Sequence, residues 1–205
     1  MRAAGAEASL AAILAAREDR VARRAAALAQ HPGGVAISAT PVMPGPVKDC
    51  ILSRLVQAAA LVVLDRLIGE RGWTGDLVYR ETALTGPEAL WIVAAPAEAV
   101  KRATVDLEAG HPLGRLWDLD VATTAGAVSR RDLGLPPRAC LVCGEPAHAC
   151  ARSRAHGIGE LVAAIEALVG AWVFMPEANS CYNRRTTNPS PIATPDARSE
   201  PRTDS

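Results

Sequence analysis

The chain has no excess of either charge: Lys and Arg together number 22, and so do Asp and Glu. It therefore lacks the positive field of a nucleic-acid binder and offers nothing general to an anionic membrane surface. It lacks an apolar run of the ~18–20 residues that a membrane span needs. No nucleic-acid or membrane partner is expected. There is no phosphate-binding P-loop, no Gly-x-Gly-x-x-Gly dinucleotide turn and no serine in a nucleophile elbow. ATPase, dehydrogenase and serine-hydrolase readings lose their usual support. The cysteines do not form an even framework either. There are five, at 50, 140, 143, 150 and 181, three of them within eleven residues. An odd total with one tight group fits a reducing compartment better than a disulfide scaffold, so a cytoplasmic location is expected. The N-terminal stretch is weak as a secretory signal, because Glu7 interrupts a poorly apolar segment.

What is present supports a packed core: 49% of the residues are apolar and 21% charged. Leu10, Ile13, Leu14, Val21 and Leu28 recur at helical spacing, predicting a helix over 6–30, with Arg17, Glu18, Asp19, Arg20, Arg23 and Arg24 on its remaining surface. Val35–Ser38 reads as a strand. Residues 46–68 read as a helix, with Pro46 at its first position and Gly69 at its exit. Strands follow near 76–82 and 89–94, a helix over 97–109, strands at 116–121 and 127–129, a loop holding the cysteines, and a last helix over 158–174. Beyond Pro176 the chain is polar and rich in Pro, Ser, Thr and Arg. Residues 176–205 are expected to form a disordered tail after a single domain of residues 1–175. The fold class is α+β, with a mixed sheet and flanking helices.

Three segments could carry chemistry. The first is His111–Val121, HPLGRLWDLDV. Alternation in a strand turns Trp117, Leu119 and Val121 to the core and puts Asp118 and Asp120 together on the other face, about 7 Å apart at Cα. Two carboxylates so placed can share magnesium, which favours one or two carboxylates plus phosphate oxygens; Arg115 adds a planar donor fork for phosphate. The same pattern also describes a strand with one wet face. The second is Pro44–Lys48 at a helix start, where Lys48 meets either a phosphate or simply Asp49. The third is Cys140-x2-Cys143-x6-Cys150, which with His148 or His156 has the ligand set, though not a common spacing, of a zinc site. Reduced, partly buried thiols are the alternative. Arg152 and Arg154 beside it read either as an anion-binding cluster or as a solvated run.

Taken together, these segments resemble the CitX family, the apo-citrate lyase phosphoribosyl-dephospho-CoA transferases. The resemblance spans about residues 10–175 and rests on Ala16–Arg20, Pro44–Asp49, Thr85–Glu88, Lys101, Glu108, His111–Val121, Ser129–Arg131, Leu135–Cys143 and Cys150-Ala151-Arg152 with His156. It implies a nucleotidyltransferase-like protein whose substrate is 2′-(5″-triphosphoribosyl)-3′-dephospho-CoA. A serine of the apo acyl carrier subunit of citrate lyase attacks the phosphate nearest the ribose, and diphosphate leaves. Within that reading Asp118, Asp120 and Arg115 are the expected catalytic residues. Asp118 and Asp120 hold magnesium, and Lys48, Arg115 and Arg152 bind phosphate. Cys140, Cys143, Cys150 and His156 form the candidate zinc set, since His148 departs from the family pattern. The competing readings are a related transferase serving another carrier protein, such as that of malonate decarboxylase, and a non-catalytic zinc-stabilised binding module.

Overall fold

The computed structural model describes residues 5–174; the polar tail expected from 176 onward lies outside them. The described chain runs α1 (Leu10–Gln30), β1 (Val35–Pro41), α2 (Ile51–Glu70), β2 (Thr74–Ala83), β3 (Gly86–Ala94), α3 (Ala97–Gly110), β4 (Trp117–Thr123), β5 (Gly126–Val128), α4 (Ala147–Ser153) and α5 (Ile158–Val173). The five strands form one sheet in the order β2-β3-β1-β4-β5. The α+β class is as expected, but the sheet is antiparallel at every pairing rather than mixed. The reason is topological. After α2 the chain returns to build a β2–β3 hairpin against one side of β1, and α3 then carries it over to the other side in the opposite direction to β1. No helix among the described residues is long and apolar enough to cross a membrane.

The sheet separates a large core from a small one. On one face Val35, Ile37, Ala39, Trp91, Trp117, Leu119 and Val121 pack against α2, α3 and α5. On the other, Ala36, Leu90 and Ile92 meet Leu28 of α1. Leu28 is the one buried residue along α1. The helix is thus seated at its C-terminal end, while just ahead of its N-terminus Ala8 donates its amide to the Pro46 carbonyl at 3.0 Å. Midway, Arg20 and Arg23 pair with Glu88 at the start of β3. Held in this way, the middle of α1 arches over the sheet instead of lying on it.

Helix α2 starts later than its sequence suggests. Its cap is Cys50, whose amide donates to Ser53 Oγ at 2.9 Å. Pro46 and Lys48 therefore sit in the preceding loop, and Lys48 is not in a helical first turn. Asp49 turns instead to Arg54, at 2.7 Å.

Strand β4 presents an unusual edge. Its inner side pairs with β1 along its length, but β5 reaches only Val121 to Thr123. The outward backbone groups of Trp117 and Leu119 thus have no strand partner, and buried peptide groups left unpaired are costly. Side chains complete them. Glu108 Oε1 accepts from the Leu119 amide at 3.0 Å, Lys101 Nζ donates to the Leu119 carbonyl at 3.1 Å, and Arg138 Nη2 donates to the Trp117 carbonyl at 2.6 Å. Glu108 in turn pairs with Arg130 at 2.5 Å. Just ahead, the turn into β4 needs Gly114: a Cβ there would lie 2.4 Å from the Leu107 carbonyl oxygen. Glu108→Ala strips the Leu119 amide of its acceptor and Arg130 of its counter-ion. It should cost about 3 kcal/mol and lower the melting temperature by about 6–12 °C. Glu108→Gln keeps one acceptor and should lose less than half of that. Equal losses in a thermal melt would show that the acceptor is not what matters.

Candidate functional site

Asp118 and Asp120 alternate with the buried Trp117, Leu119 and Val121, so both turn to the α1 side of the sheet. Asp118 lies opposite Thr40 and Asp120 opposite Ser38 in the β1 register. Above them the arch of α1 encloses a cleft of about 530 Å³. Its floor is Asp118, Asp120 and Thr40. Its roof is Arg17, Arg20 and Arg24, which at spacings of three and four share one helix face. The ends are closed by Met43, Lys48 and the β2–β3 turn around Gly86. Gly86 has φ 103°, and a Cβ there would approach the Lys48 carbonyl oxygen to 3.2 Å, so a glycine lets the turn close on the Lys48 loop.

The electrostatics of the cleft are unfavourable in both signs. Partial desolvation, and then the Asp120 carboxylate, push the pKa of Asp118 above the ordinary aspartate value. Its nearest cation, Arg138, stands 3.8 Å away. Burial, and then the like charge of Arg17, pull Lys48 down; its ammonium is tethered to the Met43 carbonyl. Ser38, opposite Asp120, has a buried hydroxyl with no hydrogen-bond partner. Crowded carboxylates below and crowded cations above are relieved together by one kind of ligand, an anion carrying a divalent cation.

The other expected residues fall elsewhere. Arg115 turns away from the carboxylates, donates to the Ala139 carbonyl and lines a neighbouring apolar pocket. Arg152 is exposed on α4 and lines neither cavity. Arg17, Arg20 and Arg24, which read as helix surface, are the roof that sequence reasoning missed; their common face was the available signal. Arg138 was also missed. It donates to the carbonyls of Arg115 and Trp117 at 2.7 and 2.6 Å while reaching Asp118.

The cysteine loop assembles a second constellation. Cys140, Cys143, Cys150 and His156 place one ligand atom each within 4.8 Å of one another. His148 is not among them. Cys143 Sγ lies 3.5 Å from Cys150 Sγ and 3.3 Å from His156 Nε2. Edges of about 3.3–3.8 Å are those of a tetrahedron with metal–sulfur bonds near 2.3 Å and metal–nitrogen bonds near 2.0 Å. The other ring nitrogen, His156 Nδ1, faces Glu160 Oε2 at 3.4 Å, the outer carboxylate that commonly orients a metal-binding imidazole. The amides of Cys143 and Val142 hold the Cys140 thiol down at about 6, whereas the Cys143 hydrogen bond and burial push Cys150 up to about 12. The cluster can hold a metal ion, and its thiols are free of disulfides.

The family model for apo-citrate lyase phosphoribosyl-dephospho-CoA transferase, CitX, matches residues 8–172. A protein of that name from Escherichia coli strain HS is 42% identical over 158 residues, covering 77% of this chain and 86% of the relative. Its counterpart from Escherichia coli strain IAI39 gives the same figures. The matched region contains the acidic cleft, its arginine roof and the cysteine cluster entire, and the chain belongs to the CitX family of apo-citrate lyase phosphoribosyl-dephospho-CoA transferases.

Proposed function

We propose that this protein transfers the phosphoribosyl-dephospho-CoA group from 2′-(5″-triphosphoribosyl)-3′-dephospho-CoA to a serine of the apo acyl carrier subunit of citrate lyase. The observation that carries the chemistry is the cleft in which Asp118 and Asp120 face Arg17, Arg20, Arg24 and Lys48. Carboxylates alone repel a triphosphate, and cations alone have no use for paired carboxylates. A magnesium–triphosphate complex uses both.

The carrier serine oxygen forms a bond to the phosphorus nearest the ribose. The bond from that phosphorus to the bridging oxygen breaks, diphosphate leaves, and the hydroxyl proton leaves with it. A phosphodiester joins carrier and prosthetic group. The nucleophile belongs to the partner, which accounts for the missing nucleophile motif in this chain. Asp118 and Asp120 would hold magnesium, which when bound offsets the phosphate charge and that of the departing diphosphate. The residues fit such an ion: they share one face, Asp118 is destabilised as an anion, and the Ser38 hydroxyl beside them lacks a partner. Arg17, Arg24 and Lys48 bind and orient the phosphate chain, with Arg20 held beside them on Glu88, so catalysis is positioning and charge neutralisation. The cysteine cluster, with three sulfurs and one imidazole nitrogen within 4.8 Å of one another, takes zinc as a structural ion. Reduced thiols suit a cytoplasmic setting.

Asp118→Asn and Asp120→Asn should each reduce transfer by at least 100-fold, an expectation on the scale of losing one electrostatic stabiliser. Because each removes a like-charge repulsion, neither should lower the melting temperature. The assay mixes the protein with apo carrier subunit, triphosphoribosyl-dephospho-CoA and magnesium and reads the intact mass of the carrier. Near-normal transfer by both variants removes the metal-holding role. For the cysteines, the purified protein should carry one zinc per chain, and Cys143→Ser should lower the melting temperature and the zinc content together. A zinc-free wild type with an unchanged Cys143→Ser melt would dismiss the metal.

A further inference from the structure

Beside the acidic cleft lies a second cavity of about 660 Å³, within the range of small-molecule sites. Val42 and Met43 line both cavities, so the two are immediate neighbours. Arg138 lines the second and reaches Asp118 of the first. Its walls are largely apolar, with Met43, Leu141, Ile158 and Leu161 among them, and Ile158 is 56% exposed. One side of this recess is bordered by Cys140, Cys150 and His156 of the metal-ligand set, and its apolar remainder is unused by the transfer chemistry above.

Arg154 lines this cavity and is exposed. It is the one non-glycine residue with a left-handed backbone among those described, at φ 51° and ψ 41°, where it ends α4. Glycine is the usual occupant of that helix-ending position, because a side chain there is strained. Arginine in a position that favours glycine lines this pocket, and among the described residues it has no ion pair to a carboxylate. The start of α5 at Gly157 and Ile158, without a side-chain cap, completes that part of the wall.

We propose that this pocket receives the adenosine diphosphate end of the dephospho-CoA moiety, with the purine in the apolar recess and Arg154 on the diphosphate. This rests on the transfer reading above and deepens it. The triphosphate lies over Asp118 and Asp120, the phosphoribosyl link crosses Val42 and Met43, and the nucleotide lies beyond them. A planar apolar base with a doubly charged tail matches a recess of this character with an arginine in its lining.

The test titrates dephospho-CoA, which lacks the triphosphoribosyl group, into the full-length protein by calorimetry. Wild type should bind it without magnesium and without competition from magnesium tripolyphosphate. Arg154→Gly relieves the backbone and so should keep or raise the melting temperature. It should weaken dephospho-CoA about tenfold, as loss of one charge-assisted contact does, and leave magnesium tripolyphosphate binding unchanged. In the transfer assay it should raise KM and spare kcat. Three results overturn the assignment: unchanged dephospho-CoA affinity in Arg154→Gly, displacement of dephospho-CoA by magnesium tripolyphosphate, or binding of 4′-phosphopantetheine in preference to ADP. Asp118→Asn separates this from the broader reading. It should retain dephospho-CoA binding while losing transfer; full transfer by that variant sinks the acidic-cleft mechanism and leaves the pocket to be judged on its own titration.

Discussion

The structure turns on how the exposed edge of β4 is satisfied. The outward peptide groups at Trp117 and Leu119 extend past the reach of β5, and Glu108, Lys101 and Arg138 stand in for the missing strand. These are directional contacts from buried or half-buried charged groups, stronger than neutral hydrogen bonds. They fix the strand from the side opposite β1. With both edges held, the pleat of β4 is locked, and the direction of Asp118 and Asp120 is decided by backbone geometry rather than by rotamer choice. Burying Lys101 and Glu108 is tolerable because each finds partners that water would otherwise supply.

The cleft above depends on a helix that avoids close packing. An amphipathic helix normally lies flat on a sheet and buries a stripe. Here α1 buries little beyond Leu28, and the arginine–Glu88 pairs support its middle at a distance from the floor. The opening so created is lined by cations that a flat-lying helix would have sent to solvent. Glu88, shared between Arg20 and Arg23, takes up part of the roof charge, leaving Arg17, Arg24 and Lys48 with no ion pair to a described carboxylate and available to a polyanion.

Much of this was readable from the chain. Alternation in Trp117–Val121 fixed which faces the aspartates and the core residues would take, because a period of two has one solution once Trp and Leu must be buried. The residue types Cys140, Cys143 and Cys150 indicated a ligand set although their spacing is uncommon, the family resemblance chose His156 over His148, and the fold brings those four together. Strand direction was not legible, since periodicity is the same whether a neighbour runs parallel or antiparallel. The start of α2 was misplaced because Pro46 is a good first helical residue, whereas the local bond between Cys50 and Ser53 decided the matter. Arg115 was assigned by proximity in sequence to the aspartates; the turn at Gly114 rotates it to the Ala139 side. The shared face of the roof arginines was the one signal available, and it did not single them out because a charged helix face looks the same whether it meets solvent or arches over a cleft.

Arg138 gives the molecule a shared hinge pin. One guanidinium ties the carbonyls leading into β4, stands near Asp118 and lies two residues before Cys140 of the cysteine cluster. The stretch that carries the sulfur ligands and the stretch that carries the carboxylates are therefore mechanically contiguous. Any free energy that passes between them through this residue must pass equally in both directions. To whatever extent filling the cleft tightens Arg138, it would also tighten the thiol loop around any ion those four ligands take, and loosening that loop would loosen the cleft by the same measure.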